Sequence, residues 1–215
     1  MKLYCNVSNA RYYNVIAYDH SRVILQHEGK EVYINASVVK VPQADREYIL
    51  SQGRAYKYDI PVKDIHRLFP GPLENTVDDF WMMIYQQNCS TVVMLCNCIE
   101  MNRDKSWQYW PIEVGHTMVL GNHREGVGLE VTMVHSEDRG HYIIRTFTLT
   151  DTISRVKRKI KQYHYVDWPD FNVPESPDLF LEFLMEFRKS GCFSESCGPP
   201  VGKLCVNLEN KIKLL

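Results

Sequence analysis

The chain has 215 residues, 45% hydrophobic and 24% charged, with a net charge of −1. This mix suits one domain with a sizeable core. The near-zero charge gives no global pull toward nucleic acid or a membrane, and no apolar run approaches the length of a membrane span. Residues 1–10 are polar and carry no signal-peptide pattern. Seven cysteines at scattered spacings read as reduced thiols, and Cys96-Asn97-Cys98 is too tight for a zinc pair. His116, His123, His135 and His141 lack carboxylate or cysteine partners at ligand spacing, so no metal site is expected.

In chain order, Arg22 to Leu25 and Glu31 to Val38 read as short strands, with Gly29 marking the turn between them. Val77 to Gln87 reads as a helix holding Phe80, Trp81, Ile84 and Tyr85. Thr91 to Cys96 is a continuous apolar run, the pattern of a buried central strand. Thr117 to Leu120, Leu129 to Val134 and Tyr142 to Leu149 form a strand succession punctuated by Gly121, Gly126, Gly128 and Gly140. The basic run Arg155 to Lys161 reads as a solvated strand face leading into Gln162 to Tyr165. Pro177 to Lys189 reads as an amphipathic helix with Leu181, Leu184, Met185 and Phe187 apolar. Pro177 suits its first turn, and Gly191 lies past its end. The order implies an α/β domain, a mixed twisted sheet with helices on both faces.

Several strings then appear together: Arg11-Tyr12-Tyr13-Asn14-Val15, Tyr18-Asp19-His20-Ser21-Arg22-Val23, Tyr33-Ile34-Asn35-Ala36-Ser37 and Tyr48-Ile49-Leu50-Ser51-Gln52-Gly53. Pro72-Leu73-Glu74-Asn75-Thr76, Phe80-Trp81, Val92-Val93-Met94-Leu95, Gln108-Tyr109-Trp110-Pro111 and Trp168-Pro169-Asp170-Phe171 follow. In this order they resemble the tyrosine-specific protein phosphatases. The texture of Phe80 to Gln87 and Thr91 to Trp110 is most similar to the phosphatase sets carried by bracoviruses of parasitoid wasps.

The resemblance implies hydrolysis of protein phosphotyrosine through a cysteinyl-phosphate intermediate, with no cofactor and no metal. It implies Asp170 as the general acid that protonates the departing tyrosine oxygen. Tyr12 would lie against the substrate ring, flanked by Arg11 in the same loop. Asn14 would contact substrate backbone, having replaced a charged aspartate with a neutral acceptor. Lys105 would reach the closed loop that holds Trp168, Asp170 and Phe171, and Glu100 would orient the phosphate-binding arginine. Asn172 stands where the family usually has glycine. Without the ordered strings, Tyr12 reads equally as a packed aromatic, Asp170 as a turn residue and Lys105 with Glu100 as an exposed pair.

The pattern breaks twice. After Val201 the family continues with a short strand, His-Cys, a glycine-rich loop and arginine. Here the chain reads Gly202-Lys203-Leu204-Cys205-Val206-Asn207-Leu208-Glu209-Asn210-Lys211. Cys205 and Lys211 echo the Cys-to-Arg spacing, but no glycine lies between them to wrap a phosphate, Glu209 would repel the dianion, and lysine lacks the arginine fork. Loss of the family's strand is expected to open strand edges, leaving the fold incomplete at its C-terminal end. The second break is Arg54 to Gly71, which separates two strings the family runs together. It reads as a surface insertion or as a retained intron. Gly202-Lys203-Leu204 can be encoded by a splice-donor sequence.

The resulting division is a phosphatase-like domain over 1–201, with 54–71 inserted, and a non-homologous tail over 202–215. Three functional readings follow: a mis-spliced product of an active phosphatase, a pseudophosphatase that binds a phosphotyrosine protein or other partner, or a decayed fragment. A monomer in the cytoplasm, the host-cell cytoplasm for a viral protein, is expected, without nucleic-acid or membrane partners.

Overall fold

A computed structural model describes residues 17–41, 46–51, 72, 74–95, 97–100, 103–104, 106–121, 126–168, 177–194 and 196–203. The strands are β1 (Arg22–His27), β2 (Lys30–Val41), β3 (Arg46–Ser51), β4 (Thr91–Met94), β5 (Ile99–Glu100), β6 (Arg103–Asp104), β7 (Thr117–Val119), β8 (Leu129–Asp138), β9 (Tyr142–Asp151), β10 (Lys157–Tyr165) and β11 (Val201–Lys203). Helices α1 (Val77–Gln86) and α2 (Pro177–Arg188), with a 3-10 turn at Glu74–Thr76 leading into α1, complete the described elements. Nine strands form one mixed sheet in the order β1-β2-β3-β11-β4-β10-β9-β8-β7, while β5 and β6 form a separate ribbon.

Local chemistry sets the hairpins. Glu28 and Gly29 turn β1 into β2 with φ of 49° and 72°, the paired positive values that match the twist of a two-residue hairpin. Between Met133 and His135 the β8–β9 register shifts, and the extra residue, Val134, is left 46% exposed. Thr91 to Met94 is buried throughout, as expected for a central parallel strand.

Alternation along the central strands divides the core in two. Val92, Met94, Ile160, Phe147 and Leu149 face α1, where Phe80, Trp81, Met83 and Ile84 are buried. Val93, Leu95, Tyr163, Tyr165 and Tyr142 face α2 through Phe180, Phe183 and Phe187. Helices therefore cover both faces of the sheet.

Two expectations change. On α2 the buried stripe is Phe180, Phe183 and Phe187, while Leu181 and Met185 are each more than half exposed. The helix is apolar on most sides, and the facing rings select its inner stripe. Phe187 meets Tyr163 edge-on at 5.7 Å, and Phe183 meets Tyr165 at 5.3 Å. The second change lies between β3 and β4. No strand edges open there, because β11 pairs in parallel with both neighbours, Val201 opposite Ile49 and Val92, and Lys203 opposite Ser51 and Met94.

The chain reaches β11 through a close contact at Gly198. Its N–H donates to Asn88 O at 2.8 Å. A Cβ there would lie 1.8 Å from the Gln87 carbonyl oxygen, so only glycine fits.

Candidate functional site

Strands β3, β11, β4 and β10 run parallel and end on the same side of the sheet. Carboxyl ends of parallel strands are where open α/β sheets hold ligands. In sequence, Glu100 and Lys105 follow β4, Trp168, Asp170 and Phe171 follow β10, and Cys205 follows β11, whereas Arg11, Tyr12 and Asn14 precede β1. Of these, Arg11, Tyr12, Asn14, Lys105, Asp170, Phe171 and Cys205 lie outside the described residues, as do 54–71 and 204–215. Glu100 is described as backbone, paired with Arg103 across the β5–β6 ribbon.

Trp168 is described, and it is buried. Its ring meets Phe180 edge-on at 5.0 Å and Tyr165 at 6.2 Å. The segment before it is tied at two points. Asn97 Nδ2 donates to Val166 O at 2.8 Å, and His141 Nδ1 pairs with the Asp167 carboxylate. Residues 166–167 are thereby tied to the segment after β4 and to the β8–β9 hairpin. His116 lies 3.3 Å from Glu113, three residues before it, a pair the sequence reading passed over, while the Asp167 neighbour of His141 lies 26 residues away and could not be read from spacing. Each is a pair rather than a ligand cluster.

Beneath the strand ends lies a buried polar chain that sequence reasoning missed. Trp81 Nε1 donates to Tyr109 O at 2.6 Å, and Gln162 Nε2 donates to Tyr109 Oη at 2.6 Å. Arg145 donates to Gln162 Oε1 at 2.9 Å and to His164 Nδ1 at 3.1 Å. The guanidinium lies 4.9 Å from the Trp110 ring centre. Burial lowers the Arg145 pKa from its ordinary value, and the acceptors and ring offset the cost of placing a cation there. The one sequence signal was Arg145 standing beside Ile143, Ile144 and Phe147 in β9, whereas Gln162 stands among the polar and basic residues of β10 and gave none. These groups support the strand ends and are not themselves nucleophiles.

Three of the described thiols lie toward the opposite end of the parallel strands. Burial raises the Cys89 pKa to about 12 and also raises that of Cys192. Cys197 is lowered, chiefly by the Ser194 hydroxyl, which donates to its sulfur at 3.3 Å. It precedes β11, away from the strand ends that hold the candidate site. Among the described residues no group of three or more His, Cys, Asp and Glu could hold a metal, and no helix is long and apolar enough to cross a membrane.

A family model for protein-tyrosine phosphatase matches residues 6–207. Tyrosine-protein phosphatase non-receptor type 61F of Drosophila melanogaster is 39% identical over 89% of this chain and 31% of the fly protein. Tyrosine-protein phosphatase non-receptor type 2 of Mus musculus is 38% identical over 91% of this chain and 42% of its own length. Receptor-type tyrosine-protein phosphatase F of Danio rerio is 36% identical over 91% of this chain and 9% of its own. The chain thus spans less than half the length of these relatives. The narrower resemblance to bracovirus sets is overturned, because these relatives are phosphatases of an insect, mammals and a fish. The strings that suggested it include Phe80, Trp81, Val92 to Leu95, Tyr109 and Trp110, all buried. They carry the shared core and so report fold rather than lineage.

Proposed function

We propose, from the premise that the chain belongs to the protein-tyrosine phosphatase family, that it keeps the phosphotyrosine-phosphatase scaffold without hydrolysing phosphotyrosine. The observation that carries this is the sequence following β11. Gly202 to Lys211 offers no His-Cys, no glycine-rich loop and no arginine six positions after a cysteine. Without them there is neither an activated thiolate nor a cradle of N–H groups and a guanidinium fork for the phosphate oxygens. Losing nucleophile and cradle together removes the covalent route and the transition-state stabilisation. Asp170 would keep the place of a general acid with no intermediate to serve. Trp168, two residues earlier in the sequence and buried, is consistent with this inherited position.

What the scaffold would offer instead is a face for a protein partner, centred on Tyr12 with Asn14 and Lys105 and supported by Arg11, with phosphate itself contributing little to recognition. The proposed setting is a cytoplasmic monomer. The test is turnover of a phosphotyrosine peptide by the purified chain. No turnover is expected. Hydrolysis that disappears in Cys205→Ser or Asp170→Asn would overturn the proposal.

A second reading rests on the two breaks. Excising Arg54 to Gly71 rejoins a family string, and Gly202-Lys203-Leu204 can be encoded by a splice-donor sequence, so the gene would also yield an active form. Sequencing the mature transcript across both breaks decides it. A transcript that runs from Val201 into a His-Cys loop with arginine supports this reading, and one that matches the chain to Leu215 eliminates it.

A further inference from the structure

The β9–β10 hairpin carries a surface that the phosphatase reading does not use. At its tip Ile153 is 81% exposed and Val156 46% exposed, with Arg155 between them also exposed. The tip is held firmly despite this exposure. Asp151 Oδ1 accepts from Ile153 N at 2.8 Å and Ser154 N at 3.2 Å, and Asp151 Oδ2 accepts from Ser154 Oγ at 2.7 Å. An exposed isoleucine is thus fixed on a rigid turn.

Behind the tip, Lys157, Lys159 and Lys161 alternate on one face of β10. The intervening Arg158 turns to the other face, donating to Tyr85 O at 2.8 Å. Across the sheet the lysines oppose Thr150, Thr148 and Thr146, and these oppose Glu130, Thr132 and His135. Helix α2 covers this face at Tyr163 and Tyr165 and leaves Lys157 and Lys159 exposed. Arg22, Lys40, Arg139 and Lys189 each have a carboxylate within ion-pair distance. Arg155 and the three lysines have none among the described residues, and Glu130 is the only carboxylate in the rows opposite them.

We propose that this hairpin and its lysine face form a docking surface for an anionic lipid membrane. Strand geometry spreads the lysines over about 13 Å of open sheet. Point charges on flexible stems suit a field of headgroups better than one bidentate anion. The aliphatic tip selects among anionic partners. Ile153 beside Arg155 can enter the headgroup boundary while the basic groups stay at the surface, whereas a purely acidic polypeptide would leave it in water. The run read from sequence as a solvated strand face acquires a partner, and near-neutral net charge does not oppose it, because attraction is set within a Debye length of about 8 Å.

The test is co-sedimentation of the full chain with vesicles of phosphatidylcholine alone or with added phosphatidylserine. The chain is expected to sediment with the phosphatidylserine vesicles at low salt, to be released by high salt, and to ignore phosphatidylcholine alone. K157Q and K159Q should each weaken binding about fivefold, and I153S several-fold, with unfolding midpoints unchanged because all three side chains are exposed. Absence of sedimentation at low salt overturns the proposal, as does unchanged binding by K157Q/K159Q. Binding to polyglutamate as strong as to vesicles and indifferent to I153S would assign the surface to an acidic polypeptide, and likewise overturn it.

Discussion

The two faces of the central sheet are built by different physics. Toward α2 the contacts are ring on ring: Phe180, Phe183 and Phe187 meet Trp168, Tyr165, Tyr142 and Tyr163 edge-on at 5.0–5.7 Å. Toward α1 the apolar core is threaded by hydrogen bonds from Trp81 through Tyr109 and Gln162 to Arg145. Ring packing tolerates substitutions that conserve volume and polarity. A buried polar chain does not, since losing one member strands the others. The α1 face therefore fixes register and rotamer beneath the candidate site, and the α2 face supplies bulk adhesion and anchors Trp168.

The largest effect that separates the faces is expected at Trp81, which is fully buried. Trp81→Ala removes ring volume and leaves the Tyr109 carbonyl without its donor, so a loss of about 3–5 kcal/mol is expected. In a chain of ordinary stability this approaches the whole margin, and thermal unfolding with yield of folded protein reads it. Gln162→Leu is expected to cost about 2–3 kcal/mol, because fully buried Tyr109 and half-buried Arg145 lose a partner. Adding Arg145→Met should recover part of that loss. A double-mutant cycle in urea measures the coupling, and strictly additive costs would show that the chain does not act as a unit. On the other face Phe183→Leu should cost about 1–1.5 kcal/mol. A cost equal to that of Gln162→Leu would erase the distinction.

The same contrast explains how much could be read in the sequence. Ring-and-aliphatic runs such as Thr91 to Met94 announced themselves, because burial on both faces needs an unbroken apolar string. Alternating lysines in 157–161 announced an open face for the converse reason. Helix α2 announced itself but not its orientation, since apolar residues occupy most of its circumference and the choice rests on Tyr163 and Tyr165, distant in sequence. Gln162 could not be assigned a role, because its partner Tyr109 lies 53 residues away and a glutamine among the lysines and histidine of β10 carries no record of a partner. Strand β11 hid inside a glycine and a lysine at the very point where the family string breaks, and only pairing on both sides reveals it. For the candidate site, ordered strings supplied positions. Trp168 is among the described residues, while Tyr12, Lys105 and Asp170 are not.

The smallest expected effect lies where α1 meets the β9–β10 turn. Tyr85 Oη donates to Asp151 Oδ2 at 2.8 Å, alongside the bonds that fix the turn. These hold the Asp151 pKa down at about 2, the Ser154 hydroxyl contributing most. A carboxyl depressed in the folded state adds stability that is full above its unfolded value, near 4, and is lost as pH falls through about 2. Tyr85→Phe should therefore cost about 0.5–1.5 kcal/mol at neutral pH and less near pH 2, where protonated Asp151 already binds the turn weakly. Asp151→Asn should flatten the stability profile between about pH 4 and 2. A variant as steeply acid-sensitive as the parent would move the acid response to other carboxylates and uncouple the turn from α1.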